Sequence, residues 1–165
     1  RPSALYRNAI GDELFYIHDG EATLETVFGA LDVGKGDYVV IPKATTHRWV
    51  PKGILRALAF ETRGHIRPPD RYLSQYGQML QVAPYFELDL RRPAAPLLRD
   101  GEEVEVVVRN RSGLTRYIYE THPFDVVGWF GCNYPFALNI ADFSPITGSF
   151  HRPPPVHQEI GRAHV

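Results

Sequence analysis

Histidine, cysteine and carboxylate side chains placed for chemistry are sparse in this chain, and His151 is the best placed of them. It follows a β-like run, Ile146 to Phe150, and precedes Pro153-Pro154-Pro155, a triplet that fixes the local backbone. A histidine held in this way can act as a general base near neutral pH. It can equally hydrogen-bond a neighbouring loop, and the residues alone leave both readings open. The triplet and Val156 separate His157 from His151, and no carboxylate stands at useful spacing from it. Cys132 has no paired histidine–aspartate motif and reads as a packing residue or a pocket rim. His18, just before Asp19-Gly20, reads as a surface or hydrogen-bonded residue. The stretch from His122 to Ile140 mixes aromatics, glycine, proline and two asparagines more densely than generic packing asks. A flat aromatic-lined pocket with close backbone approach would explain it. So would a long loop pinned by its aromatics.

These residues need a scaffold, and the pattern around them is that of short strands. Glycine and proline number 14 each in 165 residues, too many for a helical bundle. From Glu13 to Glu61, short apolar runs such as Tyr38-Val39-Val40-Ile41 and Arg48-Trp49-Val50 alternate with turn signals such as Asp19-Gly20 and Pro51-Lys52-Gly53. Closing these runs into an antiparallel barrel or sandwich removes sheet edges. Residues 1–61 are therefore expected to form one β-barrel. Residues 62–101, with five prolines and several tyrosines, lack a period and are expected to cross its surface as an ordered irregular segment. Val104-Glu105-Val106-Val107-Val108 and Leu114 to Glu120 predict a hairpin turning at Asn110-Arg111-Ser112-Gly113. Residues 102–158 are expected to open a second β domain that does not close. The fold class expected is all-β.

Two stretches sharpen this. Asp12 to Glu21 resembles the first motif of the cupin superfamily, and Gly36 to His47 resembles the second. Gly36, Pro42 and His47 keep the second motif's order, with Ala44 in place of its second glycine. The resemblance implies a cupin-like barrel or jelly roll. A cupin metal site holds three histidines and a glutamate on facing strands. Here Arg7 and Ala9 occupy the positions of the first two histidines, leaving Glu13 and His47. A ferrous site of the facial-triad kind takes about three protein ligands. Arg7 is expected to add a positive charge where a cation would sit. The first barrel is thus expected to be metal-less, His47 beside Trp49 reads as a satisfied barrel residue, and no metal ligand is assigned.

Val126-Val127-Gly128-Trp129, Asn133-Tyr134 and Asn139 are similar to the central signature of the homogentisate 1,2-dioxygenase family. Tyr6-Arg7-Asn8 and Arg67-Pro68-Pro69 are similar to that family as well. The resemblance implies a non-haem Fe(II) enzyme that opens the homogentisate ring with O2 to give maleylacetoacetate, a step of tyrosine and phenylalanine breakdown. It implies a cupin-like pair of β domains, a homo-oligomer built of trimers into a hexamer, and a cytoplasmic setting. By position, His151 matches the family's proposed catalytic base. The iron ligands match no position here; they are expected downstream of Gln158. Residues 159–165 are expected to be a non-native tail resembling adapter read-through. The chain is therefore expected to be a piece of a longer enzyme, inactive alone. A non-enzymatic ligand-binding bicupin and a metal-independent cupin isomerase are the alternatives.

Charge and composition narrow the partners. Eighteen basic and 19 acidic residues give a formal net charge of −1, with no global attraction for nucleic acid or an anionic membrane. No apolar stretch reaches the 18 or so residues of a membrane span. A single cysteine cannot form an intrachain disulfide, which fits a reducing compartment. Gly34-Lys35-Gly36 is a turn rather than a phosphate loop. Glu102-Glu103-Val104-Glu105 reads as a solvated strand edge.

Overall fold

The computed structural model describes residues 1–81, 83–128, 131 and 133–143. Ten strands run through them: β1 Leu5–Asn8, β2 Glu13–Asp19, β3 Ala22–Thr26, β4 Gly29–Val33, β5 Asp37–Ile41, β6 His47–Pro51, β7 Arg56–Glu61, β8 Glu102–Asn110, β9 Gly113–Thr121 and β10 Phe136–Asn139. The only helical segments among the described residues are three short 3-10 turns, so these residues are all-β. They form two sheets, in the orders β4-β3-β6-β1-β8-β9 and β10-β5-β2-β7, consistent with a cupin-like β fold.

Period-two alternation sends one set of side chains from each sheet into the space between them. Ile17, Leu24, Val39 and Ile41 meet there, with Phe15 and Trp49 packed against them. The Phe15 and Trp49 rings are edge-on at 5.0 Å. A second cluster, Leu5, Val106, Val108 and Phe124, covers the opposite face of the six-stranded sheet. Turn chemistry follows the residues. Gly20 and Gly36 close the β2–β3 and β4–β5 connections with φ of 90° and 88°. The β8–β9 hairpin closes on the Asn110–Gly113 pair, where the Asn110 side-chain oxygen accepts from the Ser112 amide at 2.9 Å.

Two ladders tie the later strands to the earlier ones. β8 pairs in parallel with β1, Leu5 to Val106 through Asn8 to Arg109. β10 pairs antiparallel with β5, Phe136 opposite Val40. The described residues of both halves thus share the same two sheets.

The connection between β7 and β8 is fastened by three buried carboxylates. Asp12 accepts from the Lys43 amide at 2.8 Å, from His65 Nδ1 at 2.7 Å and from the Ile66 amide at 2.7 Å. Asp37 meets Arg91 Nη2 at 2.5 Å. Glu25 accepts from Arg48 and Arg99, each at 2.6 Å. Gly29 lets the connection come close: a Cβ there would stand 2.2 Å from the Ala95 carbonyl oxygen.

Candidate functional site

The polar residues inside the barrel collect at one end, and β1 decides which. Tyr6 lies opposite His47 in the β1–β6 pairing, and their rings meet edge-on at 5.6 Å. Side chains of directly opposed residues share a face, so Tyr6 and Asn8 project inward. Arg7 goes the other way. Its Nε donates to Thr46 Oγ1 at 2.8 Å, and its guanidinium sits 5.7 Å from the Tyr119 ring centre. Arg7 therefore does not place a charge inside the barrel, contrary to the expectation from motif spacing. Ala9 likewise packs against the outer cluster.

At the centre stand Glu13 and His47, 8% and 2% exposed. His47 Nδ1 lies 3.1 Å from the Thr45 carbonyl oxygen, which can only accept. That fixes the neutral tautomer with its proton on Nδ1 and an open lone pair on Nε2. Nε2 stands 3.8 Å from Glu13 Oε2, beyond hydrogen-bond reach. Glu13 Oε2 and Thr45 Oγ1 are buried with no hydrogen-bond partner among the described residues.

Burial governs the ionisation of the group. It pushes the Glu13 carboxyl up to about 7, with a bond from Asn8 opposing and the Glu61 charge adding. It pushes His47 down to about 4, with the Thr45 carbonyl opposing. It lifts the Tyr6 hydroxyl to about 12, helped by the charges of Glu13 and Glu61. Both members of the Glu13–His47 pair thus resist charging, and near neutrality the pair is not an ion pair.

The group opens outward through Asn8. Its side-chain oxygen accepts from the Ile10 and Gly11 amides at 2.8 and 3.3 Å, and its Nδ2 donates to Glu61 Oε1 at 3.0 Å. Arg109 Nε donates to both oxygens of Glu61, at 3.0 and 3.2 Å. Those bonds hold the Glu61 carboxyl below its ordinary value.

Iron does not fit this arrangement. Glu13 and His47 offer two ligands, and the inward neighbours Tyr6 and Asn8 are weak ones. Among the described residues no group of three or more histidine, cysteine, aspartate or glutamate side chains converges. What the cluster can do is keep a proton on a buried acid beside a buried, neutral imidazole.

The other residues singled out in the sequence are dispersed. His18 is exposed at the end of β2. His151, His157 and Cys132 lie outside the described residues. From the dense later stretch, Tyr134, Phe136 and Leu138 join Leu14, Tyr38 and Val40 around a groove of about 320 Å³ on the outer face of the four-stranded sheet. His122 is buried and accepts from the Phe124 amide at 3.1 Å. Sequence reasoning did not single out Tyr6, Asn8, Glu61 or Arg109 as site residues. The period-two placement of Tyr6 and Asn8 was the one available signal.

Comparison with known proteins places the chain. The family described as homogentisate 1,2-dioxygenase N-terminal matches residues 2–140. A Saccharolobus solfataricus protein, whose name proposes dioxygenase activity without a substrate, is 40% identical over 149 residues, covering 90% of this chain and 38% of that protein. The homogentisate 1,2-dioxygenase of Bradyrhizobium diazoefficiens is 28% identical over 152 residues, 91% of this chain and 33% of its own length. That of Emericella nidulans is 27% identical over 157 residues, 91% and 34% respectively. The chain spans about a third of the length of these curated relatives.

Proposed function

Because this chain belongs to the homogentisate 1,2-dioxygenase N-terminal family, we propose that it is the N-terminal part of an Fe(II)-dependent dioxygenase that opens the homogentisate ring with O2. The match over residues 2–140 carries the reading. Maleylacetoacetate is the proposed product, and a trimer-based hexamer in the cytoplasm the proposed form. The barrel's role is structural: two sheets and two cores present the later strands in a fixed place. Glu13 and His47 do not make an iron site, and no step of ring opening is assigned to them. The iron ligands are proposed to lie outside this chain. By family position, His151 is the proposed base that takes a phenolic proton from the substrate.

The name of the 40% relative gives only dioxygenase activity, so the reading that rests on it is the coarser one, in which the aromatic acid cleaved is left open. Oxygen uptake distinguishes the readings. The chain alone, supplied with Fe(II) and homogentisate, is expected to consume no oxygen. A polypeptide that continues this chain with a relative's remaining part is expected to consume it. Within that polypeptide, His151→Gln should leave iron content near normal and cut turnover by about 10²–10⁴-fold. Uptake with gentisate but not homogentisate would favour the second reading. Turnover within twofold of the parent would remove His151 from the role.

A further inference from the structure

We propose that the groove at the open end of the barrel, between the end of β7 and the β8–β9 turn, binds a compact multivalent anion through Lys43, Arg63, Arg109 and Arg111. The inference stands on charge and geometry and does not depend on the dioxygenase reading.

The groove encloses about 720 Å³, and its lining includes those four cations together with Ile10 and Glu61. Glu61 is the one carboxylate on its wall, and it is already engaged by Asn8 and Arg109. An adjoining hollow of about 440 Å³ shares Ile10, Lys43 and Arg63. Its one carboxylate, Asp12, is engaged by two backbone amides and His65. No carboxylate among the described residues pairs with Lys43, Arg63 or Arg111. Beyond the Arg109–Glu61 pair, the groove therefore holds three positive charges with nothing of opposite sign, in a chain whose net charge is −1. A concave wall lined by one sign of charge concentrates counter-ions of the other.

The backbone builds this concentration. The Ala44 amide donates to the Asn8 carbonyl at 2.7 Å, which draws the β5–β6 turn over β1 and sets Lys43 beside Ile10. Ala44 takes a φ of 66° to do so, the left-handed region that costs a residue with a Cβ. The hairpin turn brings Arg111 alongside, and Arg109 is held by Glu61. Arg63 and Arg111 offer planar forks suited to phosphate or carboxylate oxygens.

The volume falls within the roughly 300–1,000 Å³ of small-molecule sites. A nucleic-acid backbone fits less well. The far end of the same hairpin carries exposed Glu102, Glu103, Glu105 and Glu120, which would repel phosphates beyond the groove. The occupant inferred is a small molecule with two or more negative charges, either phosphate or carboxylate.

Isothermal titration of the full chain with pyrophosphate and, separately, citrate at low salt tests this and distinguishes the two chemistries. Saturable one-to-one binding of at least one anion is expected, with affinity falling as salt rises. Arg63→Gln with Arg111→Gln should weaken it at least tenfold. Arg56→Gln, an exposed arginine at the start of β7 outside the groove, should not. A thermal melt checks that the double variant folds; if it does not, each single variant should weaken binding about threefold. Absence of saturable binding, or equal weakening by Arg56→Gln, would overturn the proposal.

Discussion

Glu13 Oε2 and His47 Nε2 face each other at 3.8 Å inside the barrel, and burial keeps each from charging. The two carry opposite pH dependences. Glu13 titrates at about 7 in the fold against an ordinary 4.5, so its contribution is complete below 4.5 and is lost as pH climbs through 7. His47 titrates at about 4 against 6.5, so its contribution is complete above 6.5 and is lost as pH falls through 4.

Glu13→Gln removes the first of these. Relative to the parent, the variant should gain stability on going from about pH 5 to pH 8, by about 2–3 kcal/mol. Urea unfolding at the two pH values measures it. Parallel loss in parent and variant would show that Glu13 ionises in the fold as it does in water.

Ala44→Gly should raise stability. The left-handed backbone at φ 66° costs a non-glycine residue about 1–2 kcal/mol, and the added freedom of glycine in the unfolded chain returns about 0.5–1. The net gain expected is about 0.5–1 kcal/mol, or a rise of about 2 °C in Tm. A lower Tm would mean that the turn is held by something other than its backbone geometry.

Much of the scaffold was legible because its signals are local. The apolar run Tyr38 to Ile41, the β-branched run at Val104 and the turn at Arg111-Ser112 each depend on neighbours within a few residues. The interior site was not legible in the same way. Asn8 meets Arg109 only because β1 and β8 pair in parallel across about a hundred residues, and no local pattern encodes such a partner. Arg7 shows the other failure. The motif spacing placed residues 7 and 9 inward, whereas the pairing of Tyr6 with His47 sets the opposite parity. A shift of one residue exchanges the faces of the whole strand.

Asp12→Ala should cost about 2–4 kcal/mol, because one buried carboxylate satisfies the amides of Lys43 and Ile66 and the ring of His65 together. The loss should be read locally as well as globally. Hydrogen exchange at the Lys43 and Ile66 amides should accelerate more than exchange in β3 or β4. Uniform acceleration across the sheets would show that Asp12 supports the barrel as a whole rather than fastening the β7–β8 connection to it.

Phe124 is fully buried against Leu5, Val106 and Val108, on the face of the six-stranded sheet that points away from the barrel interior. It follows β9 in the chain, yet it packs on β1, from the opposite end of the sequence. Its phenyl ring therefore joins early and late segments that the parallel β1–β8 ladder joins only through backbone bonds. Truncation to alanine leaves a cavity and removes apolar contact, at a cost of about 3–5 kcal/mol. If the two halves unfold as one unit, Phe124→Ala should shift a single calorimetric transition to lower temperature with its cooperativity intact. If residues from 102 onward instead fold as a separate domain, the variant should split the transition, with the barrel melting near the parent temperature and the hairpin earlier. The ladder between Leu5–Asn8 and Val106–Arg109 favours the single transition, since melting the hairpin would expose one whole edge of β1 along with the outer core.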